Sequence, residues 1–194
     1  MGVPLAIRGP IEPVSPGAPG AKALLTGDHV PLVVAAQAGD RDAFGELYRL
    51  FSRAVHGVLV AHLPRRDADD LVQDVFLHAL TRLRDLRDPA AFGGWLCTIA
   101  RRRAADHYRR APAQEAFTDA ISSEASPDLV AQAQAALAAI RSLPEAYRET
   151  LALRLVEGLS GAEIAAATGL TPDSVRVNLH RGFRLLRDRL GSTP

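Results

Sequence analysis

Ser160-Gly161-Ala162-Glu163-Ile164-Ala165-Ala166-Ala167-Thr168-Gly169-Leu170-Thr171-Pro172-Asp173-Ser174-Val175-Arg176 holds two helix starts on either side of a tight turn. Ser160 and Glu163 have the spacing of a capping box, in which each side chain satisfies a backbone donor of the other. Gly169 can take the left-handed conformation that ends a helix. Thr171 then caps a second helix, with Pro172 at the first position, where no amide donor is lost. A short helix, a glycine turn and a longer basic helix predict a helix-turn-helix, whose second helix enters the major groove.

The second helix divides into two faces at roughly 100° per residue. Val175, Leu179, Gly182, Phe183, Leu186 and Leu190 fall on one side and are expected to pack inward. Arg176, Val177, His180, Arg181, Arg184 and Arg187 fall on the other. Arginine can read guanine bidentately, and a valine methyl can touch a thymine methyl.

Working outward, the 194-residue chain carries a formal net charge of +1, but the charge is unevenly placed. Residues 101–110 hold Arg101, Arg102, Arg103, Arg109 and Arg110 against Asp106 alone, whereas residues 113–128 hold Glu115, Asp119, Glu124 and Asp128 and no basic residue. A chain of this pattern can meet DNA at two places without being generally basic. Cys97 is the only cysteine, which excludes an intramolecular disulfide, and its apolar neighbours predict a buried thiol. No apolar run approaches the roughly 20 residues that span a bilayer, and no secretory signal pattern opens the chain. A cytoplasmic location without direct membrane insertion is expected. His56, His62, His78, His107 and His180 are scattered, so no catalytic residue, metal or cofactor is expected.

The periodicity predicts an all-α chain of two small helical domains. Residues 1–28, rich in proline and glycine, are expected to be a disordered extension. Residues 29–111 form a first helical domain, 112–127 an acidic linker, and 128–194 a second domain. In the first, Leu32–Ala38 is a short helix closed by Gly39, and Asp40 caps a longer one. Asp67 is expected to cap a third helix, running to about Arg87, with Leu71, Val72, Val75, Phe76, Ala79, Leu80 and Leu83 on its core face. Gly93-Gly94 reads as loop punctuation before a fourth helix near Trp95. On the third helix, Asp70, Gln73, Asp74 and Leu77 share the opposite face at i, i+3, i+4 and i+7. A leucine ringed by acids and an amide has the make-up of a docking anchor with a polar rim, although single exposed leucines are also ordinary.

Asp70-Leu71-Val72-Gln73-Asp74-Val75-Phe76 resembles the D-x-V-Q-E-x-F helix of region 2 in bacterial RNA polymerase sigma factors of the small extracytoplasmic-function class. Phe92-Gly93-Gly94-Trp95-Leu96-Cys97-Thr98-Ile99-Ala100-Arg101 resembles that region's F-x-x-W-L-x-x-I-A-R segment. Leu143-Pro144-Glu145 and Leu159-Ser160-Gly161-Ala162-Glu163-Ile164-Ala165 resemble landmarks of region 4. The resemblance covers about residues 30–190. It implies a dissociable specificity subunit of core RNA polymerase. Asp70, Gln73, Asp74 and Leu77 would dock on the β′ clamp helices. Arg101, Arg102, Arg103, Asp106, Arg109 and Arg110 would serve recognition and opening of the −10 element, with Trp95 largely structural. Thr171, Ser174, Arg176, Val177, Asn178, His180, Arg181 and Arg184 would read the −35 element, while region 4 also contacts the β flap. Promoter DNA and an anti-sigma factor are the further partners implied.

Overall fold

The computed structural model describes residues 29–110 and 127–191, with side chains from residue 131 in the second span; the expected N-terminal extension and nearly all of the expected linker lie outside these. Every regular element among the described residues is helical. The order is α1 (His29–Gln37), α2 (Arg41–Val60), α3 (Arg65–Arg82), two single 3₁₀ turns, α4 (Phe92–Arg110), α5 (Pro127–Arg141), α6 (Glu145–Leu155), α7 (Gly161–Thr168) and α8 (Pro172–Gly191).

The first half is built around α2. Asp40 Oδ1 accepts from the amides of Asp42 and Ala43 at 2.9 and 3.1 Å, capping the helix where its first donors would otherwise be orphaned. Phe44, Leu47, Phe51, Val55, Val58 and Leu59 are buried along one stripe of α2 and meet Val72, Val75 and Phe76 of α3 and Phe92 and Leu96 of α4. Edge-on aromatic pairs, Phe44–Phe76 at 6.3 Å and Phe51–Phe92 at 5.1 Å, sit within this core. Gln37 Nε2 donates to the carbonyls of Leu83 and Leu86 and so pins the connection between α3 and α4.

Several expectations are corrected here. Helix α3 starts at Arg65 behind Pro64, and Asp67 lies in its first turn rather than at its cap. Its α-helical part ends at Arg82, followed by a 3₁₀ turn. Leu80 is 42% exposed and does not belong to the core face. Gly93 and Gly94 lie inside α4, which begins at Phe92 after a 3₁₀ turn capped by Asp88.

The second half is a helical hairpin carrying the helix-turn-helix. The capping box is complete: Ser160 Oγ accepts from the Glu163 amide at 3.2 Å, and the Ser160 amide donates to Glu163 Oε2 at 2.6 Å. Gly169 sits at φ 74°, left-handed as the turn requires. Thr171 Oγ1 accepts from the Ser174 amide at 3.1 Å, the side-chain cap of α8. Ile164, Ala167 and Val175 pack with Leu153 and Leu159, while Leu186 packs with Ile140, Leu143 and Leu151.

The halves are packed on each other. Leu137 of α5 joins the core of the first half, and Ala54 of α2 joins that of the second. A Cβ on Gly93 would lie 2.4 Å from the Ala167 carbonyl oxygen, and one on Gly94 3.1 Å from that of Thr168. These two glycines let the backbones of α4 and α7 touch. That is their physical role, and it explains why a Gly-Gly pair sits in a helix despite its cost.

Candidate nucleic-acid interface and docking face

Helix α8 buries Val175, Gly182 and Leu186 and half-buries Leu179, as its spacing predicts. Phe183 and Leu190 are 37% and 44% exposed instead, because the buried stripe is narrower than the full apolar arc. Gly182 is needed at the crossing with α6: a Cβ there would stand 3.1 Å from Leu151 side-chain carbons. Opposite this stripe, Arg176, Val177, His180, Arg181, Arg184 and Arg187 are all exposed. Arg176 is paired with Asp173 at 3.1 Å, an exposed contact that costs little to exchange for another anion. Asn178 is half-buried at the edge of the face. Thr171 and Ser174 hold each other across the cap, their hydroxyls 2.8 Å apart.

The basic segment of α4 separates into residues with different surroundings. Arg102, Arg109 and Arg110 are exposed, with Asp106 paired to Arg109. Arg103 donates to His78 Nδ1 of α3 at 2.8 Å, which ties it to the neighbouring helix. Arg101 points to the second half: its Nε and Nη2 both donate to the Glu149 carboxylate at 2.8 Å. Tyr108 was not singled out by its sequence position, yet it is 65% exposed among these arginines. A groove between α4 and α5–α6 is lined by Arg101, Arg102, Tyr108, Arg109, Arg141 and Arg148 together with Glu145, so arginines outnumber acids there even with Arg101 paired to Glu149. Trp95 is half-buried and leans on Phe92 with ring centres 6.0 Å apart, a packing role.

On α3, Asp70, Gln73, Asp74 and Leu77 are exposed together, Leu77 at 51%. Leu80 extends the apolar part of this face one turn further.

Sequence reasoning missed a polar cluster between the halves. Glu149 of α6 is buried, and besides Arg101 it accepts from His62 Nε2 at 2.9 Å. Burial alone would raise the Glu149 carboxyl, but the hydrogen bonds from His62 and Arg101 outweigh it and hold the group below the usual carboxylate range. The same bond to Glu149 raises the Arg101 guanidinium further. Glu157, after α6, takes His56 through its Nδ1 and lies 3.7 Å from Arg53. The signal in sequence was two glutamates, eight residues apart, flanking the apolar Leu151-Ala152-Leu153. His62, Glu145 and Glu149 also come close enough to share a cation, but the Arg101 guanidinium already occupies the Glu149 oxygens. Cys97 is buried as expected. Its Sγ–H points at the Ala167 carbonyl at 3.7 Å, and burial pushes the thiol up to about 12.

Comparison with known proteins decides what this arrangement belongs to. Residues 47–117 match the family description Sigma-70 region 2, and residues 133–186 match Sigma-70, region 4. The RNA polymerase sigma factor CarQ of Myxococcus xanthus is 36% identical over 162 residues, covering 79% of this chain and 92% of CarQ. The chain belongs to the sigma-70 family, in its extracytoplasmic-function class. The sigma factor BldN of Streptomyces coelicolor is 36% identical over 80% of this chain and 63% of BldN's own length. SigD of Mycobacterium tuberculosis is 33% identical over 86% of both chains. Among solved structures, CnrH in complex with the cytosolic domain of CnrY aligns with a TM-score of 0.58 and 27% identity, over 86% of this chain and 99% of CnrH. As a sigma factor, the protein binds core RNA polymerase and directs initiation at promoters. No described helix is long and apolar enough to cross a membrane.

Proposed function

We propose that this sigma factor divides its work between three surfaces. Residues 29–111 act as region 2 and residues 128–194 as region 4, joined by an acidic linker over 112–127. Leu77, with Asp70, Gln73 and Asp74 as its polar rim, docks on the polymerase clamp. Arg102, Arg109 and Arg110 hold backbone phosphates near the −10 element, and Tyr108 is available to stack on an unpaired base. Arg101 and Arg103 join this set once released from their partners. On α8, Arg176, Val177, His180, Arg181 and Arg184 meet the −35 base edges, while Thr171 and Ser174 set the helix start against the phosphates and Asn178 touches the rim.

The observation that carries this reading is the division of α8: a buried stripe of Val175, Gly182 and Leu186 opposes a continuous exposed arginine face. Promoter opening then uses binding energy alone, and the chain performs no covalent chemistry. The protein acts in the cytoplasm, where polymerase and promoters are. An anti-sigma factor that restrains it is the further partner in this reading, and the similar CnrH was solved in complex with the cytosolic domain of CnrY.

Run-off transcription with purified core polymerase on sheared genomic DNA tests the reading. Discrete transcripts that depend on this protein, sharing two upstream elements, are expected. Core binding without any transcript sinks it.

A further inference from the structure

The groove between α4 and α5–α6 has a volume of about 870 Å³, the size of a pocket that takes a small-molecule ligand or cofactor. Arg102 and Arg109 reach it from α4, Arg141 from α5 and Arg148 from α6. These arginines are engaged to different degrees. Arg141 donates through Nε to the Val60 carbonyl at 3.1 Å, which ties it to the first half. Arg109 meets Asp106 in an exposed pair. Arg102 is exposed and makes no ion pair among the described residues. Arg148 carries the clearest signal: its Nε is buried, and among the described residues no acceptor lies within hydrogen-bond reach. A buried donor on a charged group costs stability until an acceptor satisfies it, and an anion drawn into the groove supplies one.

The other lining residues narrow the chemistry of that anion. Planar guanidiniums match the paired oxygens of a phosphate. Tyr108 lines the same groove at 65% exposure, beside Ala104 and Ala105, and so offers a platform to an aromatic ring. Glu145 repels a bare polyanion but can accept from a sugar hydroxyl, the use a carboxylate has on a nucleotide ribose. Phosphate, aromatic ring and sugar hydroxyl together describe a ribonucleotide.

We propose that this groove is a ribonucleotide site, with the phosphates on Arg102, Arg141 and Arg148, the base on Tyr108 and the ribose on Glu145. A DNA strand satisfies the arginines and the tyrosine but has no 2′-hydroxyl for Glu145. An acidic peptide satisfies the arginines alone. Both halves of the chain supply walls, so a bound nucleotide stabilises the packed chain by mass action. Nucleotide binding is independent of the −10 role proposed for Arg102, Arg109 and Tyr108, since it is read on the free chain without polymerase or promoter.

Titration calorimetry of the full chain with ATP tests the site, with thermal melting alongside. One ATP per chain is expected to bind, and the melting temperature should rise with ATP concentration. Tripolyphosphate should bind about tenfold more weakly, the weight of a base stacked on an aromatic side chain. Loss of one hydrogen bond should make dATP about three- to tenfold weaker than ATP. Arg148→Gln and Arg102→Gln should each cost about tenfold or more. Arg102 is exposed, so its variant keeps the fold whatever Arg148→Gln does. Arg87→Gln, exposed and outside the groove, should bind as the parent does. Absence of both heat and melting shift with ATP at about 1 mM overturns the site, as does parental affinity in Arg102→Gln. Equal affinity for tripolyphosphate and ATP leaves a plain anion site and overturns the nucleotide. Equal affinity for dATP and ATP overturns the ribose contact. An oligothymidylate that binds more tightly than ATP, and is lost in the same variants, makes the groove a strand-binding surface and overturns the proposal.

Discussion

Leu77→Asp should abolish polymerase binding and leave the fold intact. Leu77 is 51% exposed on α3, so about half of its surface is already buried within the protein. Complete burial of a leucine is worth about 1.5–3 kcal/mol, which leaves about 0.8–1.5 kcal/mol to be gained against a partner. Leu77→Ala would forfeit most of that, weakening binding by about three- to tenfold. Leu77→Asp adds a carboxylate to a surface that already carries Asp70 and Asp74, and closing a contact over it strands a charge. A buried unpaired charge at an interface costs about 2–5 kcal/mol or more, so the combined loss exceeds about a hundredfold. The same substitution in the free protein is mild, because an exposed helical site away from the core shifts stability by about 0.5 kcal/mol. Competition binding to core polymerase, with thermal melting of the free variant alongside, reads both numbers. Near-parental affinity in Leu77→Asp would falsify the docking assignment. A large drop in melting temperature would show instead that the face is structural.

Three further outcomes follow from the same geometry. Ser160→Ala removes one arm of the capping box that starts α7, and should destabilise region 4 by about 1 kcal/mol, visible as a lower midpoint in chemical denaturation. Arg181→Ala should weaken binding of the polymerase holoenzyme to duplex carrying the −35 element; a phosphate contact would also lower the logarithmic salt slope by about 0.9, whereas a base contact would relax preference at one position. Acid should weaken the contact that Glu149 makes with the first half. The folded Glu149 carboxyl is held below its unfolded value by His62 and Arg101, with Glu145 and Cys97 also nearby. Its contribution is therefore complete above the ordinary glutamate value of about 4.3, and is lost as pH falls through the lower folded value. The midpoint of chemical denaturation, followed from pH 7 downward, should fall below about pH 4, and Glu149→Gln should lack this component.

Helix identities and caps were legible because each depends on nearby residues. Asp40, Ser160–Glu163, Gly169 and Thr171 act within three or four positions, and the structure finds each in the role its spacing predicts. The failures share one cause. Gly93-Gly94 looks like loop punctuation when only its neighbours are considered, yet its reason lies at Ala167 and Thr168, more than seventy residues away. Phe183, Leu190 and Leu80 fit their apolar arcs, but burial depends on where the partner helix crosses, and no periodicity encodes that. Glu149 was passed over because a glutamate in a helix is ordinarily a solvated charge. Only the approach of α4 and α2 makes it a buried one.

Two packed halves that keep separate identities need an interface with a particular energy. An entirely apolar contact between the halves would merge them into one core, and parting them would cost as much as unfolding a domain. Here Leu137, Val156 and Ala166 pack on the first half's core and Ala54 on the second's, and Arg101–Glu149 and His56–Glu157 add polar contacts beside them. A buried ion pair contributes little net stability, because desolvation cancels much of the attraction. It is nevertheless specific, since neither member tolerates being left alone. Such a contact can be exchanged at modest cost when another anion arrives to take the arginine. Arg101, grouped in sequence with the arginines of a DNA-facing segment, is the one whose guanidinium the folded chain keeps on a carboxylate of the other half.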